Sequence, residues 1–338
     1  MSIFLGMTIP GMMSGIRWAA LLLALAGLFL ACCSEGETAR KVDFSKRQDL
    51  MPHLPRDGLT YAYLPQYSHT ISYARHYRLV EHLRAVTGLP IRQVFPATFA
   101  EHIDMVQRGE IDISYVNPFA YLKMARSGAF AFARIIEPTG SPAFRGEIIV
   151  RADNPTIKTI EDCRGKRLMA VDPSSAGGFL FPMGLFLEHG VHLGDFAEVA
   201  FAPGPGGTQE KVVLAVHAGL YDVGVVRDGT LSLLADRIDI STIAVLGRSK
   251  AYPGWLFAAR QGLAPEVVEA VSRALFSLSM NSPLDAPILE AAHIQAVIPA
   301  RDAEYEPVRE LVARLEADLA RGRVPHQAPT DMLTEGME

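Results

Sequence analysis

Leu59 to Leu64 is a run of apolar and aromatic positions that stops at Pro65, the pattern of a strand running into a loop. Beyond the loop Gln66-Tyr67-Ser68-His69-Thr70, the positions Leu79, Val80, Leu83 and Val86 recur at helical spacing, and Gly88 terminates that helix. Ile91 to Phe95 predicts a second strand and Phe99 to Gln107 a second helix. Strand, helix, strand, helix in this order predicts parallel strands joined by crossover helices.

Two later segments echo each other. Gly109-Glu110-Ile111-Asp112-Ile113-Ser114-Tyr115-Val116 follows a helix and runs into Asn117-Pro118, and Gly219-Leu220-Tyr221-Asp222-Val223-Gly224-Val225-Val226 follows a helix and runs into Arg227-Asp228. Each is a glycine stop, an aspartate, and a short strand that ends in polar residues. Ligands of open α/β sheets bind beyond the carboxyl ends of the strands. The echo is therefore either two similar lobes turning Asn117, Arg227 and Asp228 toward a shared cleft, or a chance likeness of two βα units. Glu147 to Ala152 reads as a strand broken by Asp153-Asn154-Pro155, where the chain crosses from a first lobe to a second. After Leu246 it returns through Ala251-Tyr252-Pro253-Gly254-Trp255, and an amphipathic helix from Val308 to Leu319 is expected to pack on the first lobe.

In the second lobe, Val171-Asp172-Pro173-Ser174-Ser175-Ala176-Gly177-Gly178-Phe179-Leu180-Phe181-Pro182 reads as a strand end, a turn of small residues and a helix start. Small residues let backbone approach a ligand, and free N–H groups and the helix dipole favour an anion there. Ser and Asp are equally the ordinary capping residues of a helix. Gly206-Gly207-Thr208-Gln209-Glu210 opens a second helix in the same lobe with the same chemistry.

At the other end of the chain, Arg17 precedes an apolar run from Trp18 to Ala31, too short for a confident membrane span and suited to a signal peptide. Phe29-Leu30-Ala31-Cys32 resembles a bacterial lipobox, with Cys32 the lipidated residue and Cys33 its alternative; Met12 or Met13 is an alternative start. The expected organisation is a lipoprotein signal peptide over 1–31, a flexible tether over 32–56, a first lobe over 57–149 and 249–325, a second lobe over 150–248, and a tail over 326–338.

Composition narrows the function. A formal net charge of −5 with no basic stripe argues against nucleic acid. Within the folded region Cys163 stands alone, which excludes a disulfide framework or a thiolate metal cluster. His69, His76 and His82 along the first loop and helix, and His189 and His192 bracketing Gly190, lack the carboxylate or thiol pattern of a metal site and are expected to face solvent. No nucleophile elbow, Walker A sequence or zincin motif is present. No catalytic residue, cofactor or metal is expected.

Asp112 to Tyr121, Phe144 to Asp153, Leu168 to Pro182, Gly207 to Asp228, Tyr252 to Ala259 and Ile298 to Arg309 together resemble, in order, the substrate-binding proteins of phosphonate, phosphite and phosphate ABC importers and related sensor domains of histidine kinases. The resemblance implies an α/β, two-lobed periplasmic-binding-protein fold of type II. Each lobe would be a mostly parallel sheet flanked by helices, with the ligand cleft between the lobes. It also implies a monomer that closes on a small oxyanion. By position it assigns the anion loop to Ser174, Ser175 and Ala176, the second helix start to Thr208 and Gln209, and first-lobe contacts to Tyr67, Ser68, Asn117 and Tyr121. Arg145 and Arg227 are the candidate cations. Ala176 stands where the family often has a hydroxyl and Thr208-Gln209 where it often has a histidine, so the ligand or its geometry departs from the usual one.

Three functions follow from these readings. The first is a lipid-anchored extracytoplasmic receptor delivering an oxyanion to an ABC importer; the second is a sensing accessory of a membrane kinase; the third is a hydrolase using Ser174 or Ser175.

Overall fold

The structure is a computed structural model, and it describes residues 58–321. The expected signal peptide, Cys32 and Cys33, the tether up to residue 57 and the expected tail lie outside the described residues.

The first lobe begins with β1 (Leu59–Tyr63), α1 (His69–Thr87), β2 (Ile91–Val94), α2 (Phe99–Gln107), β3 (Ile113–Val116), α3 (Pro118–Ala125) and β4 (Phe130–Ile136). Local chemistry sets these boundaries. Ser68 caps α1 through its hydroxyl, Gly88 ends it at φ 69°, and Asn117 caps α3 by accepting from the N–H groups of Phe119 and Ala120. Pro118 takes the first helical position, where its missing donor costs nothing.

The chain then crosses through β5 (Ala143–Phe144) into β6 (Gly146–Arg151), β7 (Arg167–Ala170), α4 (Phe181–Glu188), β8 (Glu198–Phe201), α5 (Thr208–His217), β9 (Val223–Arg227) and β10 (Ile243–Arg248). It returns through β11 (Tyr252–Pro253) to β12 (Leu256–Ala259), α6 (Pro265–Phe276), α7 (Ala286–Ala292), β13 (Ala296–Pro299) and α8 (Glu306–Leu319). Among the described residues no helix is long and apolar enough to cross a membrane.

Two sheets result. One has the order β13-β4-β12-β3-β1-β2, the other β10-β6-β9-β7-β8, and β5 pairs with β11 between the two crossings. Parallel pairing is confined to β2-β1-β3 and to β8-β7-β9. β12 runs antiparallel to β3 and β4, and β6 antiparallel to β9 and β10, so each sheet is mixed rather than mostly parallel. The reason is geometric. The parallel strands point their carboxyl ends at the cleft, whereas a strand arriving from the other lobe starts at the cleft and must run away from it.

Two expected placements change. β6 already pairs with β9, so the chain crosses ahead of Gly146 instead of after Ala152. Helix α8 touches both lobes: its Glu316 meets Arg126 of the first at 3.4 Å, and its Asp318 meets His192 of the second at 2.8 Å. His76 departs from the expectation of solvent exposure, since it is fully buried, and His102 is fully buried as well.

Candidate functional site

The carboxyl ends of β1, β3 and β9 converge on a cavity of about 320 Å³. Tyr63 and Tyr115 close β1 and the end of β3, Glu137 follows β4, and Phe144 comes from the crossing. Arg75 enters from α1, Arg227 and Asp228 from the end of β9, and Ala292 and His293 from the end of α7. Tyr63, Tyr67, Tyr115 and Phe144 are all buried in one hydrophobic cluster, so the cavity is walled by rings.

Both arginines lie against rings. The Arg75 guanidinium sits 4.3 Å from the centre of the Tyr67 ring, and that of Arg227 4.9 Å from the centre of Phe144. Arg227 is compensated by Glu137 across the lobes at 3.2 Å, both side chains being nearly buried. Arg75 is different. It is half-buried, and among the described residues it has no carboxylate partner. Its neighbours are phenols; burial pushes that of Tyr63 up to about 12 against the opposing pull of Arg75, so it is neutral near pH 7. Arg75 therefore brings into the cavity a guanidinium that, among the described residues, no carboxylate pairs directly.

The second carboxylate is engaged within the protein. Asp228 Oδ2 accepts from the Arg145 backbone N–H at 3.1 Å, and the Asp228 N–H donates to the Arg145 carbonyl at 3.0 Å. Burial raises the Asp228 carboxyl above its ordinary range, and Arg227 beside it opposes that rise. Gln209 positions the end of β9 by accepting from the Arg227 N–H at 3.0 Å.

The small-residue loop lies beside the cavity and meets the first lobe directly. Ser174 is buried; its hydroxyl accepts from Lys123 Nζ at 2.9 Å and its carbonyl accepts from Asn117 Nδ2 at 3.2 Å. Ser175 spends its hydroxyl on the Gly178 N–H at 3.1 Å, and its carbonyl accepts from Leu180 five residues on, which makes the helix start π-type. Ala176 is buried. Gly177 links loop and cavity, because a Cβ there would lie 2.7 Å from Arg227 Cβ and 2.8 Å from Phe144. At the second helix start, Thr208 Oγ1 donates to the Gln66 carbonyl at 3.3 Å across the lobes. A Cβ on Gly206, at φ 59°, would lie 2.7 Å from the Tyr67 carbonyl oxygen.

Of the residues singled out in the sequence, Tyr67, Arg227 and Asp228 line the cavity. Asn117, Ser174, Ser175, Ala176 and Thr208 form the contact between lobes beside it, with Gln209 behind. Three lie elsewhere. Ser68 caps α1, Arg145 is exposed with its guanidinium on the Ser249 carbonyl, and Tyr121 is buried with its hydroxyl on Asp302. Sequence reasoning missed Tyr63, Arg75, Tyr115, Glu137, Phe144 and His293. The strand-end rule pointed to Tyr63 and Tyr115; nothing in the sequence marked Arg75, one of seven charged or histidine positions on an outer helix.

A family profile described as "ABC transporter, phosphonate, periplasmic substrate-binding protein" matches residues 61–305. The chain belongs to this family. As a phosphonate-type substrate-binding protein it is a binder and not an enzyme, and the family places it outside the cytoplasm. The Phosphate-import protein PhnD of Mycolicibacterium smegmatis is 27% identical over 271 residues, covering 75% of this chain and 84% of that one. The phosphonates-binding periplasmic protein of Escherichia coli is 25% identical over 235 residues, covering 66% and 67%. The fold agrees with that of a binding-protein component of a phosphonate ABC transporter from Pseudomonas aeruginosa, with a TM-score of 0.69 at 17% identity over 81% of this chain and 91% of that one. It agrees equally with a Prochlorococcus marinus protein solved with methylphosphonate, with a TM-score of 0.68 at 14% identity over 77% and 98%.

Proposed function

We propose that this substrate-binding protein is a lipid-anchored extracytoplasmic monomer that captures an oxyanion of the phosphonate, phosphite or phosphate class between its lobes and delivers it to an ABC importer. One observation carries the anion part of this reading: Arg75 places a guanidinium in the interlobe cavity, backed by the Tyr67 ring, faced by neutral phenols and, among the described residues, paired directly by no carboxylate. Partly desolvated charge without a counter-ion is costly, and an incoming anion relieves that cost. Arg227, already held by Glu137, supplies further donors from the other lobe, so the anion favours the closed arrangement.

In this reading the loop of Ser174, Ser175 and Ala176, with Asn117, Thr208 and Gln209, governs closure around the ligand. Cys32 is the residue that carries the lipid. The decisive experiment is a thermal-shift titration of the purified chain with phosphate, phosphite, methylphosphonate and sulfate. A phosphorus oxyanion raises the melting temperature in a saturable way, and Arg75→Gln removes that rise. If none of the phosphorus anions shifts the melt, the reading is wrong. Cys32→Ala moves the chain from the membrane to the soluble extracytoplasmic fraction; retention on the membrane refutes the anchor.

A further inference from the structure

We propose that the preferred ligand of this cleft carries a flat apolar arm on its phosphorus group, an aryl phosphonate or aryl phosphate ester in the simplest case, and is not a bare tetrahedral oxyanion. The proposal rests on the oxyanion reading above and adds what lies beyond the anionic group.

Size is the first argument. The cavity measures about 320 Å³, and a water molecule occupies about 30 Å³ of liquid, so it holds roughly ten waters. A five-heavy-atom anion displaces only a few of these waters and leaves the rest as water against rings. Pockets of this volume normally enclose a larger organic molecule with a few polar groups fixing its orientation.

The walls are the second argument. Tyr63, Tyr67, Tyr115 and Phe144 present four rings to one cavity, two of them stiffened by arginines stacked on them. The arginines cover one face each of Tyr67 and Phe144, as His76 does for Tyr63 and Trp255 for Tyr115, so a planar group would pack on the remaining faces and edges. At the mouth, Leu233 follows β9 and is 41% exposed, an apolar side chain bordering the cavity where a polar one would suit a small, fully hydrated anion.

The carboxylates are the third argument, because they exclude the obvious alternative of an amine-bearing arm. Glu137 is committed to Arg227 at 3.2 Å and Asp228 to the Arg145 N–H at 3.1 Å. Burial raises the Asp228 carboxyl above its ordinary range, and Arg227 beside it opposes that rise. Glu137 is thus spent on Arg227, and the charge of Asp228 also faces Arg227. The geometry is cationic where the phosphorus group sits and aromatic beyond it.

Calorimetry on the full chain compares four probes: inorganic phosphate, methylphosphonate, phenylphosphonate and phenyl phosphate. At least one phenyl compound binds about tenfold or more tightly than methylphosphonate, the scale expected from burying one ring face. The two phenyl arms separate a phosphonate from a phosphate ester, since the tighter of them identifies which linkage the site accepts. Leu233→Ser narrows the gap between phenylphosphonate and methylphosphonate. Binding of phosphate or methylphosphonate at least as tight as that of the tighter phenyl compound overturns the aryl proposal and leaves the oxyanion reading standing. Absence of binding by all four overturns both.

Discussion

Lys123 of the first lobe donates to the Ser174 hydroxyl of the second at 2.9 Å, so the loop that reads as an anion cradle is engaged by the protein's own cation. With Asn117 on the Ser174 carbonyl at 3.2 Å, this contact ties the lobes together beside the cavity. A charged hydrogen bond of this kind is worth about 1.5–3 kcal/mol. Lys123→Met removes it, and the ligand-free protein then shows a larger radius of gyration by small-angle scattering. An unchanged radius in the variant refutes the role of Lys123 in closure.

Arg227 and Glu137 are nearly buried, with 14% and 10% of their side chains exposed. Arg227→Gln leaves Glu137 buried without its partner, and such a change typically costs about 3–5 kcal/mol. Arg75→Gln removes a cation that has no such partner and leaves the denaturation midpoint nearly unchanged while it abolishes anion binding. The double variant Arg227→Met, Glu137→Leu recovers most of the stability. Urea denaturation of the three variants checks the ordering; equal losses for Arg75→Gln and Arg227→Gln contradict it.

Gly206 is the closest approach of the second lobe to the Tyr67 backbone, and it adopts φ 59°. Gly206→Ala adds local strain of about 1–2 kcal/mol and also forces a methyl against a carbonyl oxygen of the other lobe. The expected result is a protein that folds, closes incompletely and binds methylphosphonate or phenylphosphonate several-fold more weakly. Affinity equal to that of the unaltered chain shows that the lobes close without this contact.

His76 and His102 are fully buried, and burial lowers both to about 3. For His76 the nearby Arg75 adds to that fall. The unfolded chain takes up these protons near the ordinary histidine value of about 6.5, while the folded chain stays neutral until about pH 3. Stability is therefore complete above about pH 6.5 and falls as pH drops toward 3, by about 1.4 kcal/mol per pH unit for each histidine. His102→Asn reduces the slope of urea stability against pH in that window. A slope that is flat between pH 6.5 and 4 in the unaltered chain contradicts the assignment.

Most of the architecture is legible along the chain because its causes are local. The apolar and aromatic run of Leu59 to Tyr63, helical spacing in α1 and the stop at Gly88 each act within a few residues. The capping role of Asn117 before Pro118 is likewise a neighbour effect. The serine loop was visible for the same reason, as small residues between a strand and a helix. Its engagement by Lys123 was not, since those partners stand 51 residues apart and meet through a lobe contact. Strand direction in β6 and β12 was illegible too, because it follows from which end of a sheet the crossing chain reaches.

By itself the sequence determined the alternation of strands and helices, the recurrence of a βα unit in two lobes, and a loop chemically able to face an anion. Those features depend on hydrophobic periodicity, capping and glycine, which act over one or two turns of chain. The tertiary structure alone decided which cations are paired. Arg75 on an outer helix, Tyr63 and Tyr115 at two strand ends, and Phe144 at a crossing become one cavity only when segments 12 to 81 residues apart in sequence pack together. Whether a cation is paired depends on what the fold brings within a few ångströms of it; Glu137 reaches Arg227, and among the described residues no carboxylate reaches Arg75.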